Sequence, residues 1–123
     1  MKYSLLIYSD PSRAAAMTAD EIEQARADVM PQWIELFDYL GSHAKSAEGL
    51  ELDTPDTART LRYEDGHPVV TDGPYAETRE LIGGLFLIEC NDLDEAIDMA
   101  ARVPIASRGS VEIRPLVGRE AGG

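Results

Sequence analysis

Two short apolar runs constrain this chain more than anything else in it. Residues 3–8 read YSLLIY and residues 85–90 read LFLIEC. Apart from Ser4, the first is apolar on both alternating faces, and the second repeats that pattern. A strand of this kind is covered above and below, so both runs are expected at the centre of one sheet. The sequence supplies two helices to cover them. Thr18-Ala-Asp-Glu21 is a capping box. Behind it Ile22, Val29, Trp33, Leu36, Phe37 and Leu40 recur at helical spacing, with Gly41 as the expected stop. Pro31 falls inside this helix and removes one backbone donor, which predicts a kink or a split into two helices. Asp92-Leu-Asp-Glu95 is a second box with Asp92 as the cap. Leu93, Ala96, Ile97 and Ala100 form the stripe of the shorter helix that follows, and Pro104 bounds it.

The remaining strands are marked by their turns. Residues 47–50 form a short strand, and residues 53–57, with two acids and a proline, read as a loop. Residues 60–63 and 68–71 flank Glu64-Asp65-Gly66-His67, and Asp-Gly between two such runs predicts a hairpin. Residues 111–116, VEIRPL, form a last strand with Val111 and Ile113 inward and Glu112 and Arg114 outward. The order strand, helix, strands, helix, strand is the α+β, ferredoxin-like β-α-β-β-α-β pattern with an antiparallel sheet and an extra hairpin. Residues 1–117 are expected to form one domain, with 118–123 a flexible Gly-rich tail. Two helices cover only one face of a four-stranded sheet. The other face of the central strands stays apolar, and such a surface binds something. A two-fold homodimer through this open face is the simplest partner.

Charge narrows the function classes. The chain carries 23 acidic and 11 basic side chains, a formal net charge of -12. That balance argues against nucleic acid, which selects a basic footprint, and against an anionic membrane surface. Cys90 is the only cysteine, so no intrachain disulfide and no CxxC motif exist. A lone cysteine suits a reducing cytoplasm, and its place at the end of an apolar run predicts a packed thiol. The 3–8 run is too short for a signal peptide or a membrane span. No HxH, HExxH, EF-hand or phosphate-loop spacing appears, so no metal and no cofactor is expected.

The stretch VVTDGPYAETRELIGG, residues 69–84, is unlike the rest. Together with the strand after it, this block resembles the signature of the YCII-related, or DGPF-type, proteins. The likeness continues through Asp92-Leu-Asp-Glu-Ala96 and Arg108-Gly-Ser-Val-Glu-Ile-Arg-Pro115. Upstream, residues 1–8 and Glu48-Gly49-Leu50 also fit, while residues 10–45 match only as a helix. The resemblance implies a dimeric α+β barrel. It also implies a family of mostly unassigned activity, in which some members of the wider group resemble small-molecule enzymes with a His–Asp pair near the dimer interior. The histidine of that wider group lies within the first helix. No histidine occurs between Thr18 and Leu40 here.

Candidate site residues follow from the same block. Gly73-Pro74 directs Asp72, which serves either as a general base or anchor, or as the acceptor of an Asx-turn. His43 and His67 are its possible partners. Residues five apart on a strand lie about 15 Å or more from each other, so His67 cannot reach Asp72 along one strand. His43 reaches Asp72 only through the fold, so Asp72 and His43 are the catalytic candidates, with an exposed surface position the alternative for each histidine. Tyr75, Glu77, Thr78 and Arg108 are the ligand-binding candidates. Tyr75 can donate to a ligand or pack; Thr78 can line a pocket or cap a turn. Arg114 can hold a carboxylate or pair with Glu112. Gly83-Gly84 marks a bulge or a close backbone approach. The expected function is the binding of a small polar molecule near the DGPY loop. The alternatives are a lyase- or isomerase-like acid–base enzyme using Asp72 and a regulatory module acting through a protein partner.

Overall fold

The computed structural model describes residues 1–74, 80–104 and 109–118. Its elements are β1 (Lys2–Ser9), α1 (Ser12–Ala15), α2 (Ala19–His43), β2 (Ser46–Glu51), β3 (Arg59–Glu64), β4 (His67–Asp72), β5 (Leu81–Glu89), α3 (Leu93–Ala101) and β6 (Ser110–Pro115). β2, β5, β1 and β6 form the main sheet in that order, with every neighbouring pair antiparallel. The two apolar runs are thus its central strands, and the topology is ferredoxin-like α+β.

Local chemistry explains where the helices begin. Thr18 Oγ1 accepts from the Glu21 amide at 3.1 Å, and Glu21 Oε1 accepts from the Thr18 amide at 2.9 Å. Both halves of the expected box are present. Asp92 caps α3 through the Glu95 amide at 2.9 Å, but Glu95 reaches back to the amide and side chain of Asn91. The reciprocal half has moved one residue upstream. Two expectations about α2 need correction. It neither splits at Pro31 nor stops at Gly41, but runs unbroken to His43. Pro31 lies on an exposed turn, so water can satisfy the carbonyl that its ring leaves without a donor. Within the expected 53–57 loop, Pro55–Thr57 forms a single 3₁₀ turn.

The register divides the sheet into two faces. Tyr3, Leu5 and Ile7 share one face with Phe86 and Ile88, and all five are buried. Leu36 and Leu40 of α2 and Ala96, Met99 and Ala100 of α3 close this core, with Val111 and Ile113 packed at its rim. Cys90 is buried among them and its thiol donates to the Asp92 carbonyl. Burial pushes that thiol's pKa up, which makes it a packing group rather than a nucleophile. The opposite face carries Ser4, Leu6 and Tyr8 beside Leu85 and Leu87, with Glu112 and Arg114 on the neighbouring edge strand. The Ser4 hydroxyl donates to the Arg114 carbonyl at 3.0 Å.

β5 starts earlier than residue 85, and its register with β1 shifts between Ile7 and Tyr8, leaving Gly83 unpaired. This is the bulge expected at the glycine pair. Gly84 also meets the close-approach reading, because a Cβ there would stand 2.9 Å from the Leu50 carbonyl oxygen. β3 and β4 form a separate two-stranded arm inserted between β2 and β5. Its Asp65-Gly66 turn has φ of 50° and 80°, the left-handed pair that a two-residue hairpin turn requires. Among the described residues no helix is long and apolar enough to cross a membrane.

Candidate ligand cleft

α2 has 25 residues and β2 has six. At about 1.5 and 3.3 Å per residue, the helix is nearly twice as long as the strand. Only Leu36 and Leu40, near its C-terminal end, are buried. The N-terminal half therefore stands off the sheet and opens a cleft of about 930 Å³ beside β2 and β5. That is within the usual size of a small-molecule site. Val29, Met30, Trp33 and Phe37 of α2 form one wall, and Ile7, Gly49 and Phe86 lie on the sheet side. Trp33, Phe37 and Phe86 make a triangle with ring centroids 6.2–6.3 Å apart. Gly49 fits this wall because a Cβ there would come 2.7 Å from Phe86 Cε1.

The mouth of the cleft is polar. Arg26 on α2 reaches Glu51 at the end of β2 through two hydrogen bonds of 3.3 and 3.5 Å. Both side chains are largely exposed, so the pair is held loosely. Arg26 and Glu51 also line a smaller adjoining recess of about 330 Å³ with Asp53 and Thr54. An apolar body with one polar end would match this layout.

Asp72, His43 and His67 lie elsewhere. Asp72, at the end of β4, pairs across the arm with Arg59 at 3.1 Å, and its side chain is 90 % exposed. It lines neither cavity. His43 ends α2. Its ring stacks on Tyr39 at 3.9 Å, and Nδ1 lies 2.9 Å from the Tyr39 carbonyl, so that nitrogen is the donor. Arg102 sits 3.7 Å from the centroid of the same Tyr39 ring, while the Tyr39 hydroxyl donates to Asp98 at 2.8 Å. That hydrogen bond, followed by burial, raises the Tyr39 pKa. Among the described residues no hydrogen bond joins either histidine to Asp72. His67 begins β4 in the arm, opposite Glu64. Arg114 pairs with Glu112, which also accepts from the Tyr8 hydroxyl at 3.2 Å. Burial, then Glu112, raises the Tyr8 pKa. Tyr75, Glu77, Thr78 and Arg108 lie outside the described residues.

The comparison with known proteins fits this fold. The model of the YCII-related domain matches residues 1–118. The chain belongs to that family. It is also 39% identical over 121 residues to the uncharacterized protein R00369 of Rhizobium meliloti (strain 1021), covering 94% of this chain and 92% of that one.

Sequence reasoning about this YCII-related domain missed the cleft because it counted Trp33 and Phe37 as core. One signal was available. Met30, Ile34 and Phe37 extend the apolar stripe of α2 well past the arc that one sheet can cover, and all three are exposed. Arg26 and Glu51 carried no local signal, since they are 25 positions apart and meet only through the fold.

Proposed function

We propose that this YCII-related protein is a homodimer, joined through the open face of the main sheet, and that each copy binds a small molecule in the α2–β2–β5 cleft. The observation that carries the binding reading is the aromatic triangle Trp33–Phe37–Phe86 lining a cleft of about 930 Å³ whose mouth holds Arg26 and Glu51. Aromatic walls with few polar groups are the usual makeup of a small-molecule site. The ligand class is a molecule with a flat or aliphatic body and one acidic group, which takes the place of the Glu51 carboxylate on Arg26. The family motif enters through the chain that leaves it, because Leu81 and Gly83 line the cleft. The dimer reading is supported by Leu6, Leu85 and Leu87, which share the sheet face opposite to both helices.

Trp33 is the only tryptophan and stands in the cleft wall, so it reports on occupancy. Anilinonaphthalene sulfonate is a suitable probe, with an aromatic body and an anionic end. Titration is expected to quench Trp33 by energy transfer and to saturate at one probe per chain. Phe37→Ser and Arg26→Gln should each weaken binding about tenfold, or about 1.4 kcal/mol, with the melting temperature nearly unchanged. Unsaturable binding, or binding indifferent to both substitutions, refutes the cleft. A monomer in sedimentation at micromolar concentration refutes the dimer.

A further inference from the structure

The β3–β4 arm is built inside out. Its register puts Leu61, Tyr63, Pro68 and Val70 on one face. Leu61 is 53% exposed, Val70 60% and Tyr63 72%. On the other face Thr60 and Val69 are half-buried. The more apolar side of the arm therefore points away from its own domain. Among the described residues the arm has no third strand, and an isolated two-stranded hairpin is marginal in water. Its root is closed strand to strand. The Gly73 amide donates to the Ala58 carbonyl at 2.9 Å, and Thr60 Oγ1 donates to the Gly73 carbonyl at 2.7 Å. A hairpin closed at its root and left bare on its apolar side is built to be covered.

We infer that the second copy of this chain covers it: the apolar face of the β3–β4 arm is part of the dimer contact. This inference rests on the homodimer reading above. Area favours it over a different protein partner. Strands about 4.8 Å apart and rising about 3.3 Å per residue give the four-stranded face a projected area of roughly 380 Å². A stable interface needs about 800 Å² from each partner. Corrugation raises the first figure and Leu50 adds one exposed apolar side chain, but the rest of the flanking edges offers Glu48, Glu112 and Arg114. One face of a six-residue, two-stranded arm adds roughly 200 Å². In a two-fold pair each copy lends one arm and receives another, so the gain is about 400 Å² and closes the gap. The position also fits. The Leu52 amide donates to the Gly83 carbonyl at the end of the β2–β5 ladder, and the arm grows from the chain just beyond it. Its six-residue strands make it roughly 20 Å long, and it grows from the end of the sheet that carries the open face.

The test measures the dimer constant by sedimentation equilibrium for three proteins: wild type, Leu61→Ser with Val70→Ser in the arm, and Leu87→Glu on the open face. The arm variant is expected to weaken the dimer at least tenfold while its melting temperature as a monomer stays that of wild type. In wild-type protein, amide hydrogen exchange of the arm strands should slow as concentration rises through the dimer constant. A dimer whose constant ignores the arm substitutions, with arm exchange independent of concentration, overturns this inference alone. In that case Leu87→Glu still dissociates the pair. A wild-type protein that stays monomeric at every concentration overturns the dimer reading and this inference with it.

Discussion

Gly49→Ala should strain the cleft wall. The added Cβ would stand 2.7 Å from Phe86 Cε1 and 3.1 Å from Cδ1. Ordinary carbon–carbon contact begins near 3.5 Å, so the ring must retreat by about 0.8 Å. It has little room. Phe86 is buried, and its centroid lies 6.3 Å from both Trp33 and Phe37, so the displacement passes into those rings. Overpacking of this kind costs about 1–3 kcal/mol. Replacing glycine returns about 0.4–1 kcal/mol by restricting the unfolded chain. The net loss is roughly 0.5–2 kcal/mol, a fall in melting temperature of roughly 2–8 °C. Thermal melts followed by Trp33 emission give both quantities, because Trp33 should also change its emission maximum. In a Phe86→Leu background the ring is gone, so the same glycine substitution should be nearly harmless, and the double-mutant cycle isolates the contact. A Gly49→Ala protein with wild-type stability and emission would show that the ring or the edge strand yields freely. The argument that Gly49 shapes the wall would then fail.

Two further predictions concern pH. The amide of Thr18, then its side chain, holds the Glu21 carboxyl below its ordinary 4.5. The stabilisation that comes from this ionisation is complete above that value and drains away as pH falls through the lowered one. Glu21→Gln should therefore differ from wild type in urea midpoint at neutral pH and converge with it in acid; a gap that stays constant with pH would exclude the cap as its source. The Tyr39 phenol is raised above its ordinary 10.0, chiefly by the hydrogen bond to Asp98. Its contribution is complete below that value and is lost as pH rises through the raised one. Asp98→Asn should bring one tyrosine ionisation to lower pH in the ultraviolet titration, and an unchanged curve would contradict the assignment.

The fold was legible because its strongest signals were local or periodic. Apolar residues on both faces of the 3–8 and 85–90 runs placed β1 and β5 at the centre of the sheet, where they lie. Asp65-Gly66 marked a turn, and Thr18-x-x-Glu21 marked a helix start, each through chemistry that spans four residues or fewer. Extents were harder to read. Pro31 and Gly41 are unfavourable inside a helix on propensity alone, but Leu36, Leu40 and Tyr39 hold the last turns of α2 against the core and α3. Tertiary contact outweighed the local preference.

The cleft was illegible for a different reason. It arises from a mismatch of lengths between α2 and β2, and no motif encodes a mismatch. The DGPY motif drew attention instead, and its described half has a mechanical explanation. Asp72 pairs with Arg59 across the last rung of the arm, and Gly73 takes φ of 96°, where a side chain would be strained. The carbonyl and amide of Gly73 then tie the arm to Thr60 and Ala58. Asp72 is committed to an arginine, and its side chain is 90 % exposed to water. In this YCII-related protein Asp72 and Gly73 close the root of the arm, while Leu81 and Gly83, farther along the same block, line the cleft.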